Sequence, residues 1–311
     1  MNSFPLTSKI YVAGHRGLVG SAIVRMLRRS GYSNIVTRAR DELNLLDSVA
    51  VTKFLSDSQP DCIIDAAAKV GGIHANNTLR GQFIYENLTI QNNLIHGAWQ
   101  ANINKLLFLG SSCIYPRECP QPILEEYLLS GPLEPTNQPY AIAKIAGIEM
   151  CQSYNAQYQC NFTTAMPTNL YGPGDNFDLS SSHVLPALIA KAHKAKIENA
   201  LTLKVWGSGN PLREFLFVDD LAAACLHLLT LKNAPGIINI GSGYEISIRD
   251  LAKLICTIVG FSGTLEFDAS KPDGTPRKLL DCSKMNALGW RAATDLPQGI
   301  KTTYEWYLEH K

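Results

Sequence analysis

Gly14, Gly17 and Gly20 join a predicted strand to a predicted helix. The apolar run 9–13 precedes them, and the apolar residues of 18–29 recur at helical spacing. Closely spaced glycines at such a junction let the backbone approach phosphate groups at the N-terminus of the helix. The pattern G-x-x-G-x-x-G therefore predicts a dinucleotide site, although the same tight turn can form without a ligand.

Short apolar runs alternate with helical patterns through the first half of the chain. Ser48 is the predicted N-cap of the second helix. Such alternation predicts an α/β fold built on a Rossmann-type doubly wound parallel sheet. The predicted strands cover 9–13, 34–38, 61–66, 105–110 and 162–166, and the predicted helices cover 18–29, 48–58, 83–101 and 140–158.

The second half is less regular. Pro, Gly and Ser are concentrated at 172–182, 207–213 and 270–277, which are predicted loops. Long loops over an α/β sheet commonly carry binding and catalytic residues. The segment 271–278 could alternatively be a polar surface turn, because Pro-Asp-Gly-Thr-Pro strongly favours turns.

Two further apolar segments, 213–220 and 236–243, have the pattern of strands. The chain is therefore expected to return to the first sheet around 214–242. We predict a dinucleotide-binding domain over 1–172 and a smaller, interleaved C-terminal substrate domain over 173–311.

Composition excludes several classes of function. A net charge of +1 gives no overall attraction to nucleic acid or to an anionic membrane. No apolar run reaches the roughly 18 residues of a membrane span, and 1–8 lacks the apolar core of a signal peptide. The eight cysteines include no Cys-x-x-Cys pair, which predicts reduced thiols and no metal site. We expect a cytoplasmic protein that acts on a small molecule.

Arginines near the glycine loop indicate which dinucleotide is bound. Arg16 lies inside the loop, and Arg38 and Arg40 lie at the end of the second predicted strand, where an NAD-binding protein would carry an acidic residue. A guanidinium group pairs well with a 2′-phosphate, which favours NADP. Alternatively, these arginines are solvated surface charges next to Asp41 and Glu42.

Tyr140 and Lys144 lie one helical turn apart on one face of a predicted helix. An adjacent ammonium group stabilises a phenolate, so we expect Lys144 to lower the pKa of Tyr140. Such a tyrosine can donate a proton to a carbonyl oxygen during reduction, and Ser111, at the end of the fourth strand, can hold that oxygen. Tyr-x-x-x-Lys alone also fits an ordinary amphipathic helix, but together with the glycine loop it predicts a reductase.

The glycine loop, "GSSCIYP" and "YAIAK" resemble motifs of the extended short-chain dehydrogenase/reductases, a family with many nucleotide-sugar enzymes. Longer blocks, such as "AGHRGLVGSAI", "WGSGNPLREFL" and "DASKPDGTPRKLLD", are similar to its 3,5-epimerase/4-reductases of GDP-4-keto-6-deoxy-mannose over nearly the whole chain. The resemblance implies a reaction in two stages. The C3 and C5 protons are removed and returned on the opposite face, and NADPH then reduces the C4 ketone to give GDP-L-fucose.

The resemblance further implies that Cys113 and His183 form the acid/base pair of the epimerisation. Thiol and imidazole groups both titrate near neutral pH after modest shifts. Without the resemblance, a cysteine after a strand is usually a small buried hydrophobe, and a histidine before an apolar helix is usually a cap or a surface residue. Ser112 is harder to place and is expected to contact only the cofactor.

The motifs and the resemblance together predict two sets of binding residues and a homodimer paired through 83–101 and 140–158. Lys191 stands where bacterial relatives carry an arginine, which keeps the charge but loses the forked geometry. The predicted cofactor residues are Gly14, Arg16, Gly17, Gly20, Arg38, Arg40, Ser112, Lys144, Asn169, Leu170 and His183. The predicted substrate residues are Lys191, Trp206, Arg213, Asp273 and Lys278.

Two other functions stay open from the sequence. The first is a nucleotide-sugar epimerase or dehydratase that keeps and recycles NAD, although the segment 135–139 before Tyr140 lacks the acidic residues usual in dehydratases. The second is a non-catalytic NADP-sensing scaffold, although such proteins typically lose the tyrosine and lysine. Net NADPH consumption separates the first from a reductase, and cofactor binding without turnover would favour the second.

Overall fold

The computed structural model describes residues 4–179, 181–271 and 273–311 of the chain. Ser180 and Pro272, which fall in two of the predicted loops, lie outside the described residues. The strands are β1 (Ile10–Ala13), β2 (Ile35–Val36), β3 (Cys62–Asp65), β4 (Lys105–Leu109), β5 (Asn161–Pro167), β6 (Asn169–Tyr171), β7 (Thr202–Trp206), β8 (Leu212–Phe217), β9 (Ile237–Ile240), β10 (Glu245–Ser247), β11 (Thr264–Asp268) and β12 (Arg277–Lys278). The helices are α1 (Leu18–Arg29), α2 (Ser48–Ser58), α3 (Ile73–Thr78), α4 (Arg80–Gln100), α5 (Gln138–Tyr158), α6 (Val184–Ile197), α7 (Val218–Thr230), α8 (Ile248–Val259), α9 (Ser283–Ala287) and α10 (Leu296–His310).

Six of the described strands form one parallel sheet in the order β2-β1-β3-β4-β5-β9. The chain starts at β1, moves outward to β2 and then crosses back to β3 on the other side of β1. All four residues of β1 and of β3 are buried, as expected for central strands with both faces covered by helices. The predicted doubly wound α/β fold is therefore confirmed.

Alternate residues of the central strands enter two different apolar cores. Ile10 and Val12 point to a core that contains residues of α1 and α7. Tyr11 and Ala13 point to the opposite core, which contains residues of α2, α4 and α5. This alternation is the two-residue period of a strand, and it places α5, the helix of Tyr140 and Lys144, on the second face.

The chain returns to the main sheet at β9, which pairs with β5. The strand predicted over 213–220 is β8, which ends at Phe217 and belongs to a smaller sheet with β6, β10 and β12. A third apolar core lies under this sheet, between α6, α8 and α10. The division into domains at residue 172 stays a prediction.

One local prediction was wrong. Asp47, not Ser48, is the N-cap of α2, because its backbone is extended while its side chain accepts a hydrogen bond from Ala50 N at 3.0 Å. The described residues of the loops predicted over 207–213 and 270–277 are loop up to the C-terminal ends of these ranges, where β8 and β12 begin and pair in parallel. In the described ranges, no helix combines the length and apolar character needed to cross a bilayer.

Candidate active site

The glycine loop is formed by close backbone contacts. Gly14 has a φ of +76°, and a Cβ atom there would lie 2.7 Å from the carbonyl oxygen of Ala66. A Cβ on Gly20 would lie 2.2 Å from the carbonyl oxygen of Gly14. Gly17 is the N-cap of α1 and makes no side-chain cap hydrogen bond. The loop therefore requires glycine, and the N-terminus of α1 is available to an anionic group.

A cavity of about 980 Å³ runs from this loop along the carboxyl ends of the main-sheet strands. This volume lies at the upper end of the range for ligand pockets. Gly20 lies behind the wall, where it packs α1 against the loop. The predicted residues on the wall are Gly14, Arg16, Gly17, Arg38, Arg40, Ser111, Ser112, Cys113, Tyr140, Lys144, Asn169, Leu170 and His183.

The three predicted arginines all lie on the cavity wall. The guanidinium group of Arg38 lies 5.2 Å from the ring centre of Phe54 and donates to the carbonyl oxygen of Thr37 at 2.8 Å. The neighbouring carboxylate of Glu42 accepts a hydrogen bond from Ala39 N at 2.6 Å. The interpretation of Arg38 and Arg40 as phosphate ligands, rather than solvated surface charges, stays a prediction.

Ser111 lies in the loop after β4, and its side chain interacts with Tyr140 of α5. Its hydroxyl oxygen accepts a hydrogen bond from Cys113 N at 3.2 Å. Burial and the nearby Cys113 raise the pKa of Tyr140 above its usual value, and a hydrogen bond with Ser111 opposes the increase. Ser111, Cys113 and Tyr140 thus form one interacting group on the cavity wall.

The ammonium group of Lys144 contacts the main sheet, whereas the helical spacing predicts a contact with Tyr140. Its Nζ donates to the carbonyl oxygen of Leu109 at 2.8 Å and lies 4.6 Å from the ring centre of Phe108. The expectation that Lys144 lowers the pKa of Tyr140 was wrong, because the ammonium group is turned towards the sheet and burial of the phenol dominates. Tyr140 is therefore a protonated phenol at neutral pH.

Cys113 lies beside a cation that the chain contributes from a distant segment. Lys278 Nζ is 3.4 Å from Cys113 Sγ. Burial raises the pKa of the thiol, but Lys278, the hydrogen bond with Ser111 and the charge of Arg213 outweigh it, so that the pKa is lowered. A lowered pKa is the property that distinguishes a reactive thiol from a buried structural one.

His183 is the N-cap residue of α6, but its side chain makes no cap hydrogen bond. The imidazole lies on the cavity wall. Loss of water around the ring lowers its pKa, and the positive charge of Lys278 lowers it further. His183 is therefore a neutral imidazole at pH 7, able to accept or to pass on a proton.

The predicted substrate residues lie beside the cavity rather than on its wall. Lys191 Nζ is 5.0 Å from the ring centre of Trp206. The carboxylate of Asp273 accepts hydrogen bonds from the N and Oγ of Ser208 at 2.7 and 2.8 Å, and Arg213 donates to the carbonyl oxygen of Asp273 at 3.4 Å. Lys278 joins this group to the active site, because it lines a small pocket together with Cys113.

Two carboxyl groups near the cavity, one buried and one half-buried, were missed by the sequence analysis. Asp65 ends β3 and is completely buried, and an acid that closes an apolar strand was a signal available in the sequence. Asp175 lies on the cavity wall, where burial raises its pKa to about 7, against the opposing hydrogen bond from Asn176 N. No local sequence pattern predicts that Asp175 is partly buried, because its burial depends on how its loop folds over α1.

The comparisons with known proteins agree with this geometry. Residues 10–241 match the model of the NAD dependent epimerase/dehydratase family. A GDP-L-fucose synthase of Escherichia coli K12 is 54% identical, with 97% of each chain covered, and GDP-L-fucose synthase 1 of Arabidopsis thaliana is 55% identical, with 98% of this chain and 94% of that protein covered. The crystal structure of a GDP-L-fucose synthetase from Naegleria fowleri bound to NADP is 30% identical and superimposes with a TM-score of 0.91, covering 99% of this chain and 96% of that one.

Proposed function

Because this chain belongs to the NAD dependent epimerase/dehydratase family, we propose that it converts GDP-4-keto-6-deoxy-mannose to GDP-L-fucose with NADPH as the reductant. The family match confirms the resemblance to extended short-chain dehydrogenase/reductases. The observation that carries the proposal is the group formed by Ser111, Tyr140 and the Cys113–Lys278 pair beside one large cavity. A carbonyl reductase needs the first two of these residues, and an epimerase needs an additional acid/base group.

The residues of the cavity fit NADPH. Gly14 and Gly17 leave the backbone bare where the pyrophosphate would lie, and the arginines on the cavity wall suit the 2′-phosphate. NADPH supplies the hydride that reduces C4 of the sugar. Asn169 and Leu170, on the same wall, would line the site of the nicotinamide ring.

Tyr140 and Ser111 serve the reduction. The raised pKa of Tyr140 keeps its proton in place at neutral pH, so that the phenol can donate to the ketone oxygen as negative charge develops there. Ser111 holds the same oxygen by a second hydrogen bond. Lys144 also lies on the cavity wall, but its ammonium donates to the carbonyl oxygen of Leu109.

Cys113 and His183 serve the epimerisation. The C3 and C5 protons flank the ketone, so their loss is eased by an enolate, whose oxygen Ser111 and Tyr140 can stabilise. A thiolate removes a proton on one face of the ring, and the acid/base partner returns a proton on the other. The lowered pKa of the Cys113 thiol, set by Lys278, suits it to be the base.

The residues beside the cavity would bind the rest of the GDP-sugar. Arg213 and Lys191 provide positive charge for the diphosphate, and Trp206 provides an exposed aromatic face. Asp273 and Lys278 belong to the segment that closes on the sugar end.

The cytoplasmic location of the protein stays a prediction from the sequence.

The test is an NADPH-oxidation assay with GDP-4-keto-6-deoxy-mannose and identification of every product. We expect one NADPH consumed for each GDP-L-fucose formed. Turnover without net NADPH consumption would instead indicate an epimerase or dehydratase that recycles its cofactor. Cofactor binding without any turnover would indicate a non-catalytic protein.

The double substitution Arg38→Ser/Arg40→Ser is expected to raise the KM for NADPH about 10-fold to 100-fold and to leave the KM for NADH nearly unchanged. The reason is that charge-assisted hydrogen bonds to a phosphate contribute about 1.5–3 kcal/mol, and NADH lacks that phosphate. Steady-state kinetics with both cofactors measures the effect. Arg28→Ser, at an exposed position in the last turn of α1, is the matched control. An equal loss with both cofactors would contradict this assignment of the arginines.

We also propose a homodimer in which α4 and α5 of each subunit pair. These helices expose Tyr85, Ile142 and Tyr158 by 65%, 40% and 40% of their surfaces, which provides apolar side chains for such a pairing. Light scattering at micromolar concentration should give twice the mass of the chain, and Tyr85→Arg should shift the protein towards the monomer. A monomeric mass for the unsubstituted protein would contradict the proposal.

A further inference from the structure

Asp65 occupies a position in the main sheet where a charged side chain is rarely found. It ends β3, with Ala13 of β1 and Phe108 of β4 as its neighbours on the two sides. It has the same strand parity as Ile63, so its side chain is directed to the core that contains α4 and α5. The residue has no exposed surface. A carboxyl group in such surroundings is costly unless a counter-charge or hydrogen bonds stabilise it.

Hydrogen bonds satisfy only half of this carboxyl group. Its Oδ1 accepts from Ala67 N at 3.1 Å. Its Oδ2 has no hydrogen-bond partner among the described residues. The hydrogen bond from Ala67 N therefore stabilises one carboxyl oxygen of Asp65, and the second oxygen is stabilised by no hydrogen bond from the described residues.

Lys144 provides the matching charge in the same buried layer. It is only 3% exposed, and its ammonium lies 4.6 Å from the ring centre of Phe108, the neighbour of Asp65 in the sheet. The ammonium has three donors. Within the described ranges, the carbonyl oxygen of Leu109 is its one hydrogen-bond acceptor. A buried anion and a buried cation thus share the layer between the sheet and α5.

We propose that Asp65 is a positioning residue that acts as the buried counter-charge of Lys144, keeping the ammonium protonated and directed to the sheet behind Tyr140. The inference rests on the proposed function, because it assigns Asp65 to the reduction carried out with Tyr140 and Ser111. Asp65 itself lies off the cavity wall and acts through Lys144.

The electrostatics of the layer agree with this assignment. Burial raises the pKa of Asp65 to about 6, and Lys144 and the Ala67 amide lower it. Burial lowers the pKa of Lys144, and Asp65 raises it. At pH 7 the carboxylate is therefore mostly ionised and favours the charged ammonium. The titratable or charged groups around Asp65 are Tyr11, itself near Arg38, on one side and Tyr140, Lys144 and Cys151 of α5 on the other.

The experiment compares the pH dependence of NADPH oxidation in the unsubstituted protein, Asp65→Asn and Asp65→Leu. Asparagine keeps the acceptor for Ala67 N and removes the charge, whereas leucine is a branched apolar side chain of similar size that removes both. If Asp65 sustains the charge of Lys144, the alkaline limb of the kcat profile moves to lower pH in both variants, by about one unit. Tyr140 loses a neighbouring negative charge in the same variants, which moves the limb in the same direction.

A matched control separates this role from packing. Asp220→Asn also neutralises a buried acid that accepts backbone hydrogen bonds, from Ala293 and Thr294, but it lies outside this layer. We expect it to lower the melting temperature without moving the pH profile. Profiles of both Asp65 variants that superimpose on that of the unsubstituted protein would overturn the inference, and either variant suffices if the other fails to fold. Failure of the unsubstituted protein to oxidise NADPH would overturn the proposed function instead.

Discussion

Tyr140→Phe is expected to slow NADPH oxidation with GDP-4-keto-6-deoxy-mannose by a factor of about 10²–10⁴, the usual contribution of a positioned general acid. Phenylalanine removes the hydroxyl that donates to the ketone oxygen and keeps the ring that packs near Phe83. Fold and NADPH binding should therefore survive. Steady-state kinetics and a cofactor titration by fluorescence measure the two effects separately.

The environment of Tyr140 makes this prediction specific. Because burial raises the pKa of the phenol, the proton is present across the neutral range, and reduction by the unsubstituted protein should not require acid conditions. Tyr244→Phe removes a hydroxyl from a residue that is 82% exposed and serves as the control, with no expected change in kcat. If Tyr140→Phe kept the full rate of NADPH oxidation, the proton would have to come from another group on the cavity wall.

Local patterns in the sequence predicted the main sheet and its helices closely. The predicted bounds of α1 and α2 are those of the structure, because strong 3.6-residue periodicity and abrupt turn residues act over neighbouring positions. β12 could not be predicted in this way, since it consists of two charged residues that become a strand only by pairing with β8. Such a strand has no sequence pattern of its own.

In the candidate site, too, the sequence predicted features formed by neighbouring residues and missed contacts between distant ones. The glycine loop, Ser111 and Tyr140 follow from motifs whose residues are close in the chain. The contact between Cys113 and Lys278 joins residues 165 positions apart, and it depends on the pairing of β12 that the sequence does not reveal. Helical spacing placed Lys144 next to Tyr140 but could not show that the carbonyl oxygen of Leu109 would take its ammonium.

Cys113→Ser should separate the two halves of the proposed reaction. A serine hydroxyl is almost fully protonated at neutral pH, so the variant loses its base and the rate of epimerisation should fall by a factor of about 10²–10⁴. Ser111 and Tyr140 remain, so NADPH oxidation should continue and give a GDP-sugar in which C3 and C5 keep their original configuration. Product analysis by NMR, rather than the rate of NADPH loss, is the decisive measurement.

Lys278→Met tests the cause of the thiol's reactivity without removing the thiol. Lys278 lowers the pKa of Cys113, so its loss should raise that pKa and move the pH profile of epimerisation to higher pH. Raising the pH should then restore part of the activity of Lys278→Met but none of the activity lost in Cys113→Ser. Cys160→Ser, whose thiol lies away from the cavity wall, is the control for the replacement of cysteine by serine in Cys113→Ser.

If Cys113→Ser formed GDP-L-fucose at the full rate, Cys113 would be a packing residue, and the base of the epimerisation would be another group of the cavity wall.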